Sequence, residues 1–242
     1  MSAKREEAII LQSEQIRAVQ TLPTTSRHVP TEDIKMEAIK FKTLTDATEI
    51  DFFVSRFESF VGVKLPYDYM ERSQFVAGFK GDEMVGGYML VTKPTFRSLM
   101  FVPDDVKQSH EFFQKDSFDM MEINGLWMSA SIKSASEQFS IWTRLVLDTF
   151  KCRKQYVLLM ANQRNKNIRQ VHAMTGAKDI YEGQPMLMSG DKSHSTIRVS
   201  YTTRWSLLLN LPRYWAEHKS RERRFQRRLK QRAYSRMMTK TG

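Results

Sequence analysis

The chain has 242 residues, 41% of them apolar and 27% charged, enough for one domain with a sizeable core. Ten glycines and seven prolines exclude a collagen-like or linker-dominated chain, and the single cysteine, Cys152, excludes an internal disulfide framework or a cysteine-only metal cluster. The net charge is +11, yet residues 213–240 hold eleven Lys or Arg against two acids, so +9 lies there and only +2 elsewhere. The charge pattern therefore reads as a nearly neutral domain with a basic appendix.

No apolar stretch at the N-terminus resembles a secretory signal, and no apolar run is long enough to span a membrane. The expected setting is cytoplasmic. Residues 5–20 have the composition of a short helix, and the proline-containing stretch 21–31 reads as a loop. The alternation over Ile34–Phe41 predicts a strand. Thr45 and Asp46 are candidate caps for a helix carrying Ile50, Phe53, Val54, Phe57 and Phe60 on one face, ending near Gly62. A hairpin follows: Ser73–Phe79, a turn at Lys80–Asp82, and Met84–Val91. Ser98–Val102 reads as an edge segment.

Met120–Met128 reads as a strand whose interior Gly125 signals a bulge or a close backbone approach. Ser134–Ser136 can cap a helix with Phe139, Trp142, Leu145 and Val146 on its apolar face, running to Lys151. Tyr156–Met160 has the form of a buried parallel strand. Asn165 or Asn167 can cap a helix that stops near Gly176, and strand patterns return at Pro185–Met188 and Thr196–Thr203. The fold class is α/β in the mixed α+β sense: a central mixed sheet flanked by helices, with a basic C-terminal helix. The expected organisation is an N-terminal helix and loop over 1–33, the main domain over 34–203, and an apolar linker with a basic amphipathic tail over 204–242. Neither GxGxxG nor GxxxxGK[ST] occurs, which excludes the usual dinucleotide and P-loop folds.

Three segments carry a resemblance. Asn165–Asp179 keeps Asn165, Ile168, Val171, His172 and Gly176 at a recognisable spacing; Phe52–Gly62 forms a helix-like stretch; and Phe75–Thr92 holds Gly81, Val85 and Gly86 in its turn region. Together they resemble the GNAT acyltransferase superfamily over roughly residues 34–203. Within it the sequence is most similar to the acyl-homoserine-lactone synthases and long-chain N-acyl amino acid synthases, whose fourth strand begins with a glutamate, as Glu122–Met128 does here. The resemblance implies a fourth and fifth strand that splay apart. It also implies a thioester cosubstrate, acyl carrier protein or acyl-CoA, a small amine acceptor and no permanently bound cofactor. The family's glycine-rich pyrophosphate loop is replaced by Ser129–Glu137 (SASIKSASE), where Ser131, Lys133, Ser134 and Ser136 are candidate phosphate contacts together with Asn165.

Acyl transfer to an amine requires a base for the amine and polarisation of the thioester carbonyl. Glu122 is the candidate base, because a carboxylate at the start of an apolar strand is costly to bury unpaired. Strict alternation puts Asn124 and Leu126 on its side and Trp127 on the other. Asn124 is then an acceptor-binding candidate, and Leu126, Trp127 and Met128 surround the amides expected to meet the carbonyl. His172 and Tyr181 are the candidate acids. Arg56 and Asp68 are the candidate polar contacts to the acceptor implied by the resemblance. The five histidines show no metal-ligand spacing, so no metal is expected.

In the basic tail Phe225, Leu229, Ala233 and Met237 recur every fourth residue. Residues 213–240 thus suit an anionic membrane surface, an acidic protein such as acyl carrier protein, or nucleic acid, the last being disfavoured because phosphate contacts have no use for an apolar stripe. Two functions compete: an N-acyltransferase moving a medium or long acyl group to an amino-acid-like amine, and a catalytically degenerate domain that binds through its tail.

Overall fold

The computed structural model describes residues 38–61, 64–132, 134–162, 171–186 and 196–238; the expected elements before residue 38 lie outside these. In chain order the elements are β1 (Lys40–Leu44), α1 (Ala47–Val61), α2 (Tyr67–Glu71), β2 (Ser73–Lys80), β3 (Glu83–Val91), α3 (Arg97–Met100) and α4 (Asp104–Ser109). After two short 3-10 turns come β4 (Met120–Met128), α5 (Ala135–Lys151), β5 (Tyr156–Asn162), β6 (Lys178–Gly183), β7 (Ile197–Thr203), α6 (Arg204–Leu209) and α7 (Leu211–Met238). Seven strands form one sheet in the order β1-β2-β3-β4-β5-β7-β6. Every neighbouring pair is antiparallel except β4 and β5. That one parallel pair exists because α5 carries the chain back to the starting edge, as a parallel connection requires.

The sheet is covered on both faces. Phe53 and Phe57 of α1 pack with Phe75, Met89, Trp127 and the segment Phe96–Phe112 on one side. Trp142, Leu145 and Val146 of α5 pack with Tyr88, Leu90, Met121, Leu207 and Tyr214 on the other. The central strand β3 is consequently apolar on both faces, with Met89 and Val91 in the first cluster and Tyr88 and Leu90 in the second. Close approach of α1 depends on Gly87, since a Cβ there would lie 2.6 Å from the Phe53 ring and 2.4 Å from the Val76 carbonyl oxygen.

Four expectations need correction. The first strand is Lys40–Leu44, which overlaps the expected Ile34–Phe41 only at Lys40 and Phe41; residues 34–37 lie outside the described residues. Ser98–Val102 is not an edge strand: Arg97–Met100 is a single helical turn, with Ser98, Phe101 and Val102 buried. Pro185 and Met186 follow the sixth strand rather than forming it; that strand is Lys178–Gly183, the partner of β7. The segment after Thr203 is no linker. Thr203 caps α6, Leu207 is buried, and the first turns of α7 lie against α5, with the Tyr214 ring 5.0 Å from Trp142 and the Trp215 ring 4.6 Å from Phe139. Aromatic packing makes the start of the basic segment part of the domain.

Candidate functional site

The site begins where the parallel pair ends. β4 and β5 are paired at Met120–Tyr156, Met121–Val157 and Glu122–Leu158 and no further, although β4 continues to Met128 and β5 to Asn162. Beyond Glu122, β4 follows β3 and β5 follows β7, so a wedge opens between them. A bulge accompanies the divergence: Met89 faces Asn124 but Gly87 faces Trp127, so Gly125 and Leu126 together oppose Tyr88. Gly125 has φ +60°, a left-handed conformation that favours glycine, and a Cβ there would meet Met89 Cε at 2.8 Å.

The bulge also shifts the alternation by one. Glu122, Asn124 and Trp127 share the α1 side, whereas Leu126 and Met128 pack toward α5. The strict-alternation reading, which put Leu126 beside Glu122 and Trp127 opposite, is corrected by this extra residue. Trp127 lines the Glu122 side through its edge-on contact with Phe53, 5.9 Å between centroids.

Glu122 is 1% exposed. Its Oε1 accepts from the Ser98 backbone N–H at 3.2 Å and from Asn124 Nδ2 at 3.4 Å, and the same amide donates to Tyr69 Oη at 2.9 Å. Oε2 is buried and forms no hydrogen bond among the described residues, as is true of Ser98 Oγ. Burial pushes the Glu122 carboxyl up to about 7, against the opposing pull of the nearby Ser98 and Arg97 backbone N–H groups and of the Arg97 charge. Burial, together with the Glu122 charge, likewise raises the Tyr69 phenol. A carboxyl poised near neutrality with one unsatisfied oxygen is suited to exchanging a proton with a bound molecule.

The other candidates separate. Asn124 is part of the cluster. Arg56 is exposed, over the Phe52 ring, and Asp68 is exposed and paired with Arg72 at 3.5 Å; it is the next residue, Tyr69, that turns inward. His172 lies in a helical turn over residues 171–174, and burial, reinforced by the Arg198 charge, lowers it to about 4, so it is neutral at physiological pH and poorly suited to donate a proton. Tyr181 is on β6, two strands away from β5, with its hydroxyl donating to the Gln184 carbonyl at 2.6 Å. Sequence reading missed Tyr69, Arg97 and Ser98, which approach Glu122 only because α2 and α3 fold over the start of β4.

The loop before α5 closes on itself. Ser134 caps the helix by accepting from Glu137 N at 3.1 Å, and the Glu137 carboxylate accepts from Ser134 N at 3.2 Å, a reciprocal capping box. Glu137 also pairs with Lys80. Against the upward push of partial burial, the hydrogen bonds from Lys80 and Ser134 hold this carboxyl below the usual carboxylate range. Ser131 hydrogen-bonds Ser129 and is exposed, as is Ser136; Lys133 and Asn165 lie outside the described residues. A helix N-terminus that attracts anions is here occupied by the chain's own carboxylate. Among the described residues no group of three or more His, Cys, Asp or Glu could hold a metal ion.

Solved structures share this fold. The chain is similar to FeeM, an N-acyl amino acid synthase from uncultured soil microbes (TM-score 0.51, 11% identity, 70% of this chain and 92% of that one). It is equally similar to MesI, a CoA-dependent acyl-homoserine lactone synthase (TM-score 0.51, 11% identity, 73% and 95%). Arabidopsis thaliana NAA60, solved in complex with acetyl-CoA, matches at TM-score 0.50 and 9% identity over 69% and 98%. The fold is that of the GNAT acyltransferases. No protein-family model matches the chain, and no curated protein matches it by sequence. At these identities the likeness is one of fold, and the chemistry has to be argued from the site.

Proposed function

We propose that the protein is an N-acyltransferase that moves an acyl group, medium or long, from a CoA or acyl-carrier-protein thioester to a small amine of amino-acid type. The observation that carries this reading is the buried Glu122, with its raised carboxyl and free Oε2, at the point where β4 and β5 part. The thioester enters the wedge, where β4 backbone amides near Leu126–Ser129 polarise its carbonyl. The amine nitrogen attacks the carbonyl carbon, Glu122 takes a proton from that nitrogen, and collapse of the tetrahedral intermediate breaks the C–S bond. The thiolate is an adequate leaving group, since an ordinary thiol ionises near pH ~8.5, so a base matters more here than a strong acid. Asn124 and Tyr69 hold Glu122 in place.

The self-capped start of α5 favours a second reading, a GNAT-fold domain that binds ligands without transferring acyl groups. One experiment separates the two. The purified protein is incubated with acetyl-, octanoyl- and palmitoyl-CoA, and the same acyl groups on carrier protein, against a pool of amino acids. Mass spectrometry then follows amide products. Product that requires Glu122 supports the transferase; thioester binding without product supports the binding domain. If acetyl-CoA is the preferred donor, the long-chain assignment fails.

A further inference from the structure

At the corner where the end of α5 meets α6 and the start of α7, an apolar face is open to solvent. Leu147 and Phe150 stand one helical turn apart on α5. The Phe150 ring meets the Trp205 ring of α6 edge-on at 4.8 Å, and Leu209 lies one turn beyond Trp205. Leu147 is 43% exposed, Trp205 49% and Leu209 74%. Large apolar side chains left outside together, rather than scattered, mark an interaction surface.

The rim is cationic. Lys151, Arg153, Lys154, Arg204 and Arg213 belong to this corner, and Arg204 lies over both the Phe150 and Trp205 rings. The acid among them, Asp148, is buried and taken up by Tyr88, Arg144 and Lys151. Asp116 and Asp119 flank the exposed Phe118, whose carbonyl accepts from Lys154. The face also continues directly into α7. The contacts Trp205–Phe150, Tyr214–Trp142 and Trp215–Phe139 show α7 starting at this corner and running back along α5 toward the N-terminal end of that helix.

We propose that this corner docks the protein on an anionic phospholipid membrane, with Leu147, Trp205 and Leu209 entering the interface and the surrounding cations meeting lipid phosphates. The inference is independent of the acyl-transfer reading. Charge complementarity selects the occupant: a second copy of the chain would bring the same cations together, whereas anionic lipid answers both the leucines and the charge. Trp and Arg at the boundary between an apolar patch and water are the side chains that suit a headgroup layer. No helix among the described residues is long and apolar enough to cross a membrane, and the attachment proposed for this corner is peripheral.

The test uses the full chain and vesicles of phosphatidylcholine, with or without about 30 mol % phosphatidylserine. Wild type should co-sediment with the anionic vesicles, less so as salt rises. Trp205→Ala with Leu209→Ser, both exposed and neither changing the charge, should retain the thermal melt and lose vesicle affinity by roughly tenfold or more. In wild type, tryptophan emission should shift to the blue and be quenched by brominated lipid, a change that Trp205→Phe should largely remove. The proposal is overturned if wild type ignores anionic vesicles, if the double variant binds as well as wild type, or if brominated lipid leaves the emission unaltered. Self-association abolished by the double variant, without vesicle binding, would assign the face to a second copy. Capture of an acidic carrier protein alone would assign it to that partner.

Discussion

Replacing Glu122 with Gln should damage catalysis while improving stability, and the two effects can be measured on one protein. The side chain is 1% exposed, and its carboxyl lies at about 7 in the fold against 4.5 for an ordinary glutamate. Below about pH 4.5 both folded and unfolded chains carry the proton, and Glu122 contributes nothing to the pH dependence. Between 4.5 and 7 the unfolded chain releases its proton first, so stability falls as pH rises. Above 7 both states are ionised and the full penalty is in place, about 3 kcal/mol at ~1.4 kcal/mol per pK unit. The glutamine of the variant has no proton to lose. Its carbonyl keeps the Ser98 and Asn124 hydrogen bonds, and its amide replaces an oxygen that had no partner. The variant should therefore gain on wild type from pH 5 to pH 8, by an amount on the order of 3 kcal/mol in urea unfolding. Acyl transfer should drop by roughly 10²–10⁴, and wild-type kcat/KM should rise with pH through about 7 as the base ionises. A stability difference that is flat with pH would show that Glu122 is not held at high proton affinity. Near-normal turnover in the variant would remove it from the mechanism whatever the stability result.

Glu137→Gln retains the hydrogen-bonding pattern of the capping box but removes the carboxylate from the start of α5 and leaves Lys80 unpaired. KM for a CoA thioester should fall several-fold at low salt with little change in stability, and an unaltered KM would show that Glu137 does not oppose the donor's phosphates. Gly125→Ala puts a Cβ 2.8 Å from buried Met89 on a residue with φ +60°, so chemical denaturation should show a loss of about 2–4 kcal/mol, with transfer activity falling as the bulge shifts. Removing residues 213–242 takes away Tyr214, 6% exposed and packed on Trp142, and should cost several kcal/mol, about what a large buried aromatic contributes. Removal from Arg221 onward retains that packing, and the melt should stay close to wild type; equal stability of the two truncations would refute the docking of α7.

The sequence alone determined the elements whose signals are local. Alternation and turn chemistry located β2, β3, β4 and β7; helical periodicity and the Ser134 cap located α1 and α5; and the pattern of one parallel crossover within hairpins pointed to the mixed sheet. It also singled out Glu122, because a carboxylate inside an apolar strand is visible without coordinates. What depended on contacts distant in sequence was decided by the tertiary structure. The Gly125 bulge is a two-to-one mismatch between strands, so its glycine is legible but its effect on which face Leu126 and Trp127 take is not. Tyr69, Arg97 and Ser98 have no motif of their own and become part of the site only as α2 and α3 cover the start of β4. His172 has the residue type of an acid, but its proton affinity is set by burial and Arg198, which a sequence does not contain. The boundary of the basic segment moved for the same reason: charge counting separates residues 213–240 from the domain, and the packing of Tyr214 and Trp215 on α5 joins their first turns to it. Periodicity and composition are properties of neighbours along the chain, whereas register, burial and proton affinity depend on neighbours in space.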